Sequence, residues 1–319
     1  NNENFSNIFI SANNILITFK YPLIENINKF INLSNIYDNV VICLFQWRIT
    51  IFIKYTINSI LSVDKDAKVY FCSDKLITYK NVEYINSDEV STELTKSIVK
   101  LNIYKNTNYE DNPLWATSFL RLFYLCDIAE SLSLKSFVHF DADVLIYKPF
   151  SKLNSLFDIK RFNITPLNEN ELIFGYSYAN NIGIYKKIIK SIYDFVNDEK
   201  FNGEGLNEMK ILNNVFNKEK DLFNLLPVIP KTDNIIFDPA SYGQYIGGTH
   251  AHPRKIFSKP WAGDHHYVGR EILNGNLKVR FNNNLPHVLK NNRRYDIANL
   301  HIHSKRLRNY LPSEYKEYL

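Results

Sequence analysis

The chain has 319 residues, 45% of them apolar and 22% charged, enough for one large domain with a sizeable core and too apolar for global disorder. A net charge of +5 suits an anionic small ligand or an anionic membrane surface and is weak for a dedicated nucleic-acid binder. No run of about 18 apolar residues free of charge marks a transmembrane helix.

The opening Asn1-Asn2-Glu3-Asn4 has no basic region leading into an apolar one, so it is not read as a signal peptide. The lack of an initiator Met fits a piece of a longer polypeptide. Cys43, Cys72 and Cys126 are odd in number, widely spaced and set in apolar runs, which reads as buried free thiols in a reducing compartment.

In chain order, residues 1–37 alternate short apolar pieces with Asn-rich turns and read as an edge hairpin or an N-terminal extension. Val40 to Phe45 is a β-branched run read as a buried strand, and Ile51 to Leu61 has helical spacing. Lys68 to Cys72 and Val82 to Ile85 read as further strands, the first closing on Ser73-Asp74. Residues 113–132 read as one helix with Pro113 in its first turn, and Phe137 to Phe140 as a strand running into Asp141. Strands alternating with helices argue for parallel, doubly wound pairing, with ligands at the carboxyl ends of strands. Asn181 to Tyr185 reads as a strand-like piece leading into a helix over Lys186 to Val196, and 204–216 as another helix. Residues 234–252 are Gly-rich and loop-like, 300–303 a short strand, and the last residues a basic amphipathic tail.

The strongest chemical signal is His139-Phe140-Asp141-Ala142-Asp143-Val144-Leu145. Two carboxylates two apart, directly after a buried strand, offer hard oxygen ligands to a divalent cation, and a nucleoside diphosphate would supply several more. The competing reading is a solvated acidic turn. A second signal is Asn299-Leu300-His301-Ile302-His303-Ser304-Lys305, where strand spacing puts His301, His303 and Lys305 on one face. Either imidazole can complete a metal site, and the ammonium can hold phosphates.

The run from Ser118 to Leu125, followed by Leu134-Lys135-Ser136-Phe137-Val138-His139-Phe140-Asp141-Ala142-Asp143-Val144-Leu145, resembles the D-x-D region of GT-A glycosyltransferases, including their Arg-bearing helix before the motif strand. The resemblance spans about residues 38–305 with few clear motifs. It implies a Rossmann-like, doubly wound mixed sheet with flanking helices, the donor half over about 38–150 and the acceptor half over about 151–305, with 306–319 a basic tail. It implies that Asp143 ligates Mn²⁺ or Mg²⁺, that Asp141 contacts the metal or the ribose, and that Arg121 reaches the donor's phosphates or sugar. A His-Ser-basic step like that of galactosyltransferase-like members favours His303 as third ligand, with His301 second. Asp74, at a strand end, is where such enzymes recognise the nucleobase or ribose; a simple turn Asp is the competitor.

The stretch from His250 to Trp261 resembles the His…Lys-Pro-Trp signature of glycogenin-like transferases, but its spacing is seven rather than six and its central Gly is absent, so it reads as acceptor-side loop. Asn207-Glu208-Met209 opens a helix where related enzymes carry an Asp-containing motif, making Glu208 a candidate catalytic base or sugar ligand, with a solvated helix Glu the alternative. The Gly- and aromatic-rich stretch from Asp238 to Thr249 resembles one near the active site of bacterial and viral polysaccharide-building transferases, and makes Asp238 a second candidate base. Trp261, His265, His266 and Tyr267 read as an acceptor platform.

The expectation is therefore a glycosyltransferase that uses Mn²⁺ or Mg²⁺ and a nucleotide sugar, UDP-sugar favoured, and modifies a glycan or glycosylated acceptor in polysaccharide or glycoprotein-glycan synthesis. The expected location is cytoplasmic, with peripheral membrane contact through the basic tail left open. The rivals are a non-catalytic glycan-binding module and a metal-dependent nucleotidyltransferase or phosphohydrolase.

Overall fold

The computed structural model describes residues 6–11, 15–21, 53–65, 67–73, 82–111, 113–246, 265–303 and 306–317. Its described strands are β1 (Ser6–Ser11), β2 (Ile15–Tyr21), β3 (Ala67–Ser73), β4 (Val82–Asn86), β5 (Phe137–Phe140), β6 (Val144–Ile146), β7 (Phe162–Asn168), β8 (Glu171–Ala179), β9 (Phe223–Leu225), β10 (Ile235–Ile236), β11 (Val279–Asn282), β12 (Leu285–Lys290), β13 (Arg293–Ile297) and β14 (Asn299–His301). The helices are α1 (Ile53–Val63), α2 (Ser87–Val90), α3 (Glu93–Leu101), α4 (Pro113–Ser131), α5 (Ile182–Val196), α6 (Glu208–Lys218), α7 (Tyr242–Ile246) and α8 (Tyr267–Leu273). The architecture is mixed α/β, its sheets flanked by helices.

The described strands form four sheets: β1-β2-β3-β4, β5-β8-β7-β9, β6 with β14, and β10-β13-β12-β11. The pairing is mixed: the parallel pairs that the βα alternation argued for are, among the described strands, β3–β4, β7–β9 and β10–β13, and the others are antiparallel. The reason is local. β7 and β8 are joined by a tight Asn168–Glu171 connection, in which Asn168 accepts from the Asn170 N–H, and a connection that short can only return the chain antiparallel.

The reading of 181–184 as a strand gives way to helix. Asn181 is an N-cap whose side chain accepts from the Gly183 N–H, and Tyr185, Ile188, Ile189, Ile192 and Val196 form one buried stripe along α5. A cap plus a helical-period apolar face outweighs the β preference of the two isoleucines at 182 and 184. Among its described residues the basic tail is likewise not a helix beyond one 3₁₀ turn, Leu307–Tyr310. The 1–37 segment contributes the β1–β2 hairpin, whose β2 pairs antiparallel with β3. The strand expected at Val40–Phe45 and Cys43 lie outside the described residues, while Cys72 and Cys126 are buried free thiols.

What positions the site is β5. All four of its residues are buried. Phe137 points into a core shared with α4, α5 and α6, and Val138 and Phe140 into one shared with α1 and β3. A one-residue slip of this doubly buried strand would draw the charged Asp141 into the position of a fully buried residue, so Asp141 emerges at a fixed place just past it.

Candidate metal centre

The ladder between β5 and β8 runs one residue past the strand, Asp141 N–H donating to the Gly175 carbonyl at 3.1 Å. A turn follows, closed by Val144 N–H on the Asp141 carbonyl at 3.1 Å and tied to α1 by the Thr56 hydroxyl, which donates to the Ala142 carbonyl at 2.6 Å. The chain then enters β6, which pairs antiparallel with β14: Asn299 opposite Ile146, Leu300 opposite Leu145, His301 opposite Val144. Ile302 N–H donates to the Asp143 carbonyl at 2.9 Å. This pairing brings a histidine from the far end of the chain against the two carboxylates.

His301 Nε2 lies 3.0 Å from Asp143 Oδ1 and 3.7 Å from Asp141 Oδ2. One ligand atom from each of Asp141, Asp143 and His301 falls within 4.8 Å of the others. Octahedral donors about 2.1 Å from a cation sit about 3.0 Å apart across an edge and about 4.2 Å across the ion, so the set fits a divalent cation after small side-chain shifts. His301, the second choice from sequence, occupies the place expected of His303. His303 falls beyond the end of β14, its ring edge-on to that of His301 with centroids 4.7 Å apart.

Arg121, from the middle of α4, donates through Nη1 to Asp141 Oδ1 and through Nη2 to Glu208 Oε1 at 2.8 Å. Its side chain is 13% exposed, that of Glu208 5%. Burial alone would raise the Asp141 pKa, but the Arg121 guanidinium overcomes this and holds the carboxyl well below the usual carboxylate range. Asp141 is thus ionised and ready to ligate at any physiological pH. Glu208 moves the other way, burial raising its pKa despite Arg121. Behind Asp141, burial drives His139 down to about 4, so it is a neutral ring, stacked on Phe174 at 4.5 Å. The Arg121 guanidinium lies over the same Phe174 ring at 5.4 Å.

Gly175 faces the carboxylates from β8. A Cβ there would sit 2.9 Å from His301 Nδ1 and 3.3 Å from Asp141 Oδ2. Only a bare α-carbon leaves room for the group.

The remaining sequence candidates are distributed as follows. Glu208 is the first residue of α6, behind the Asn207 cap, and is spent on Arg121. Asp238 is 1% exposed and lies directly behind His301, its carboxylate receiving four backbone N–H groups. His266 is 4% exposed and faces the Ser241 hydroxyl at 3.3 Å. His265 is exposed beside it, and Tyr267 opens α8 and lines a separate cavity of about 750 Å³ with Asn168, Leu172 and Asn213. Asp74, Trp261 and Lys305 lie outside the described residues, as does the stretch from His250 to Lys259.

His139, Asn299 and Gly243 stood inside singled-out stretches without a role of their own, and Gly175 was not singled out at all. His139 stood in the same seven-residue motif. The two glycines are legible only once a strand or helix is known to cross His301.

No protein-family profile matches the chain, and no curated protein matches it. Among solved structures it is similar to mouse xyloside xylosyltransferase 1 in its apo form, with 11% identity, 58% of this chain and 83% of that one covered, and a TM-score of 0.39. It is similar to the PaToxG glycosyltransferase, with 15% identity, 60% and 76% covered, and a TM-score of 0.36. It is similar to the glycosyltransferase GlyE of Streptococcus pneumoniae TIGR4, with 14% identity, 65% and 47% covered, and a TM-score of 0.39. At such TM-scores the likeness carries no functional weight; the side-chain geometry must.

Proposed function

We propose that the chain is a GT-A-type glycosyltransferase that binds a divalent metal and moves a sugar from a nucleotide-sugar donor to a hydroxyl of a glycan acceptor. The observation that carries the reading is the convergence of Asp141, Asp143 and His301 at the carboxyl end of a buried strand, with Arg121 holding one carboxylate ionised. A solvated acidic turn would not recruit a histidine from residue 301, nor bury Asp143 to 5% exposure.

In this reading Asp141, Asp143 and His301 hold the ion, and the mixed carboxylate–imidazole set favours Mn²⁺ over Mg²⁺. When bound, the cation would neutralise charge on a departing diphosphate. Arg121 fixes Asp141 in place and, with both terminal nitrogens engaged by protein carboxylates, acts on the donor through Asp141 rather than by direct grip. Of the two candidate bases, Glu208 is buried against Arg121 and Asp238 is saturated by backbone donors. With neither presented to an acceptor hydroxyl, the arrangement favours retention over inversion at the anomeric carbon. Uridine as the base, Asp74 and Lys305 as donor contacts, and Trp261, His265 and Tyr267 as acceptor contacts belong to the same proposal, as do the donor and acceptor halves. No helix among the described residues is long and apolar enough to cross a membrane.

The test is thermal-shift binding of UDP and GDP with and without Mn²⁺, on wild type and Asp143→Ala. A nucleotide-dependent rise in Tm that requires Mn²⁺ and vanishes in the variant is expected, the better ligand naming the base. No shift with either nucleotide in the presence of metal would overturn the donor site in favour of a glycan-binding module.

A further inference from the structure

We infer that Asp238 is a positioning residue for His301, acting with Gly243 to set the backbone from which that imidazole reaches the carboxylates. The inference rests on the metal-centre reading for its consequence, and on contacts independent of it for its geometry.

β14 has one edge paired with β6. Its other edge has no strand beside it among the described residues, and an N–H left unmatched in so buried a place is costly. Asp238 fills that edge. Its Oδ2 accepts from the His301 N–H at 2.9 Å and from Gly243 N–H at 2.8 Å, while Oδ1 accepts from Ser241 N–H at 2.6 Å and Tyr242 N–H at 2.8 Å. One carboxylate thereby caps the first turn of α7 and replaces the missing strand at His301. The backbone of Asp238 is itself held by β14: its N–H donates to Asn299 Oδ1 at 3.2 Å. From the other direction α7 presses on the same residue. A Cβ on Gly243 would lie 2.2 Å from the His301 carbonyl oxygen and 2.7 Å from its carbonyl carbon, so helix and strand touch backbone to backbone.

A carboxylate has about four lone-pair directions, and here four N–H groups take them. A base needs one for its substrate's proton. The same saturation that disqualifies Asp238 as a base fits it to locate His301, whose N–H it binds directly and whose register against Val144 then follows.

The test is Mn²⁺ titration of the protein alone, followed by electron paramagnetic resonance, on wild type, Asp238→Asn, Gly243→Ala and Asn299→Ala. An Asn at 238 turns an N–H₂ group toward two of the four donors. The expected result is Mn²⁺ affinity about 10- to 100-fold weaker in Asp238→Asn and Gly243→Ala, as for other residues that orient a ligand, with a cooperative melt retained. Wild-type Mn²⁺ affinity in Asp238→Asn together with lost sugar transfer would overturn the inference and make Asp238 a base. Should those two variants fail to fold, Asn299→Ala decides, since it loosens Asp238 while sparing its carboxylate. It is expected to weaken Mn²⁺ several-fold, and unchanged affinity would overturn the inference. Should wild type bind no Mn²⁺, the metal reading falls, and positioning is read from the His301 ring resonances by NMR. They are expected to shift in Asn299→Ala; if they do not, the inference falls as well.

Discussion

Two three-membered ionic clusters in this chain respond to the loss of a partner in opposite ways. In the first, Arg121 sits between Asp141 and Glu208, with side-chain exposures of 13%, 19% and 5%. In the second, Asp296 sits between Lys148 and Arg294, with exposures of 25%, 20% and 39%. The first carries two acids on one base, packed over Phe174; the second carries two bases on one acid, at the surface of the C-terminal sheet. Removing a partner from a buried cluster strands a charge that water cannot reach, whereas at a surface water takes the partner's place. The site's electrostatics are therefore brittle and the surface cluster's are forgiving, although a contact diagram would draw them alike.

The largest effect that separates them is expected of Arg121→Ala. It leaves Asp141 and Glu208 facing one another without a cation, at a cost of about 3–5 kcal/mol, read as a fall in denaturation midpoint with little change in slope. Asp141 loses the group that keeps its pKa low, so Mn²⁺ binding should become steeply weaker as pH falls from 7 toward 5. A loss under about 1 kcal/mol would show that water enters the site and that the two clusters are alike after all.

Gly175→Ala perturbs the buried cluster without touching a charge. The new methyl must move His301 or Asp141, since it begins 2.9 Å from an imidazole nitrogen, and overpacking of this kind costs about 1–3 kcal/mol. Mn²⁺ affinity is expected to fall by about tenfold, a change of about 1.4 kcal/mol. Equal affinity in the variant would mean that the three ligands have slack. The glycine illustrates what sequence could and could not disclose. The strand Phe137–Phe140 and its two aspartates are neighbours in the chain, and the apolar run before them fixes where they emerge, so that half of the site was legible. The other half depends on pairing between β6 and β14. Strand periodicity puts His301 and His303 on the same face, and only the register, His301 opposite Val144, picks between them. Asp238 was legible as an important acid and illegible as a structural one: three of its four partners are local, at Ser241, Tyr242 and Gly243, but the fourth, the His301 N–H, lies 63 residues away. Arg121 was placed correctly on its helix, but its bonding to Glu208 spans 87 residues, a separation no local pattern encodes.

The smallest effect belongs to the surface cluster and is best resolved by pH. Burial would raise the Asp296 pKa, but hydrogen bonds from Lys148 and Arg294 more than offset it and hold the carboxyl below its ordinary value of 3.8. The folded state therefore binds a proton less readily than the unfolded chain. The stabilisation is fully present above about pH 5 and is lost as pH falls through 3.8 toward the folded value. Asp296→Asn should cost about 0.5–1 kcal/mol at pH 7, reduced by screening because all three side chains are partly exposed. The cost should shrink in 1 M salt, where the Debye length is about 3 Å, and the two proteins should converge once the pH has fallen past the lowered folded-state value. A gap that persists at low pH would mean that Asp296 stabilises by packing or neutral hydrogen bonding. In that case the contrast with the buried cluster is one of geometry, not of solvent.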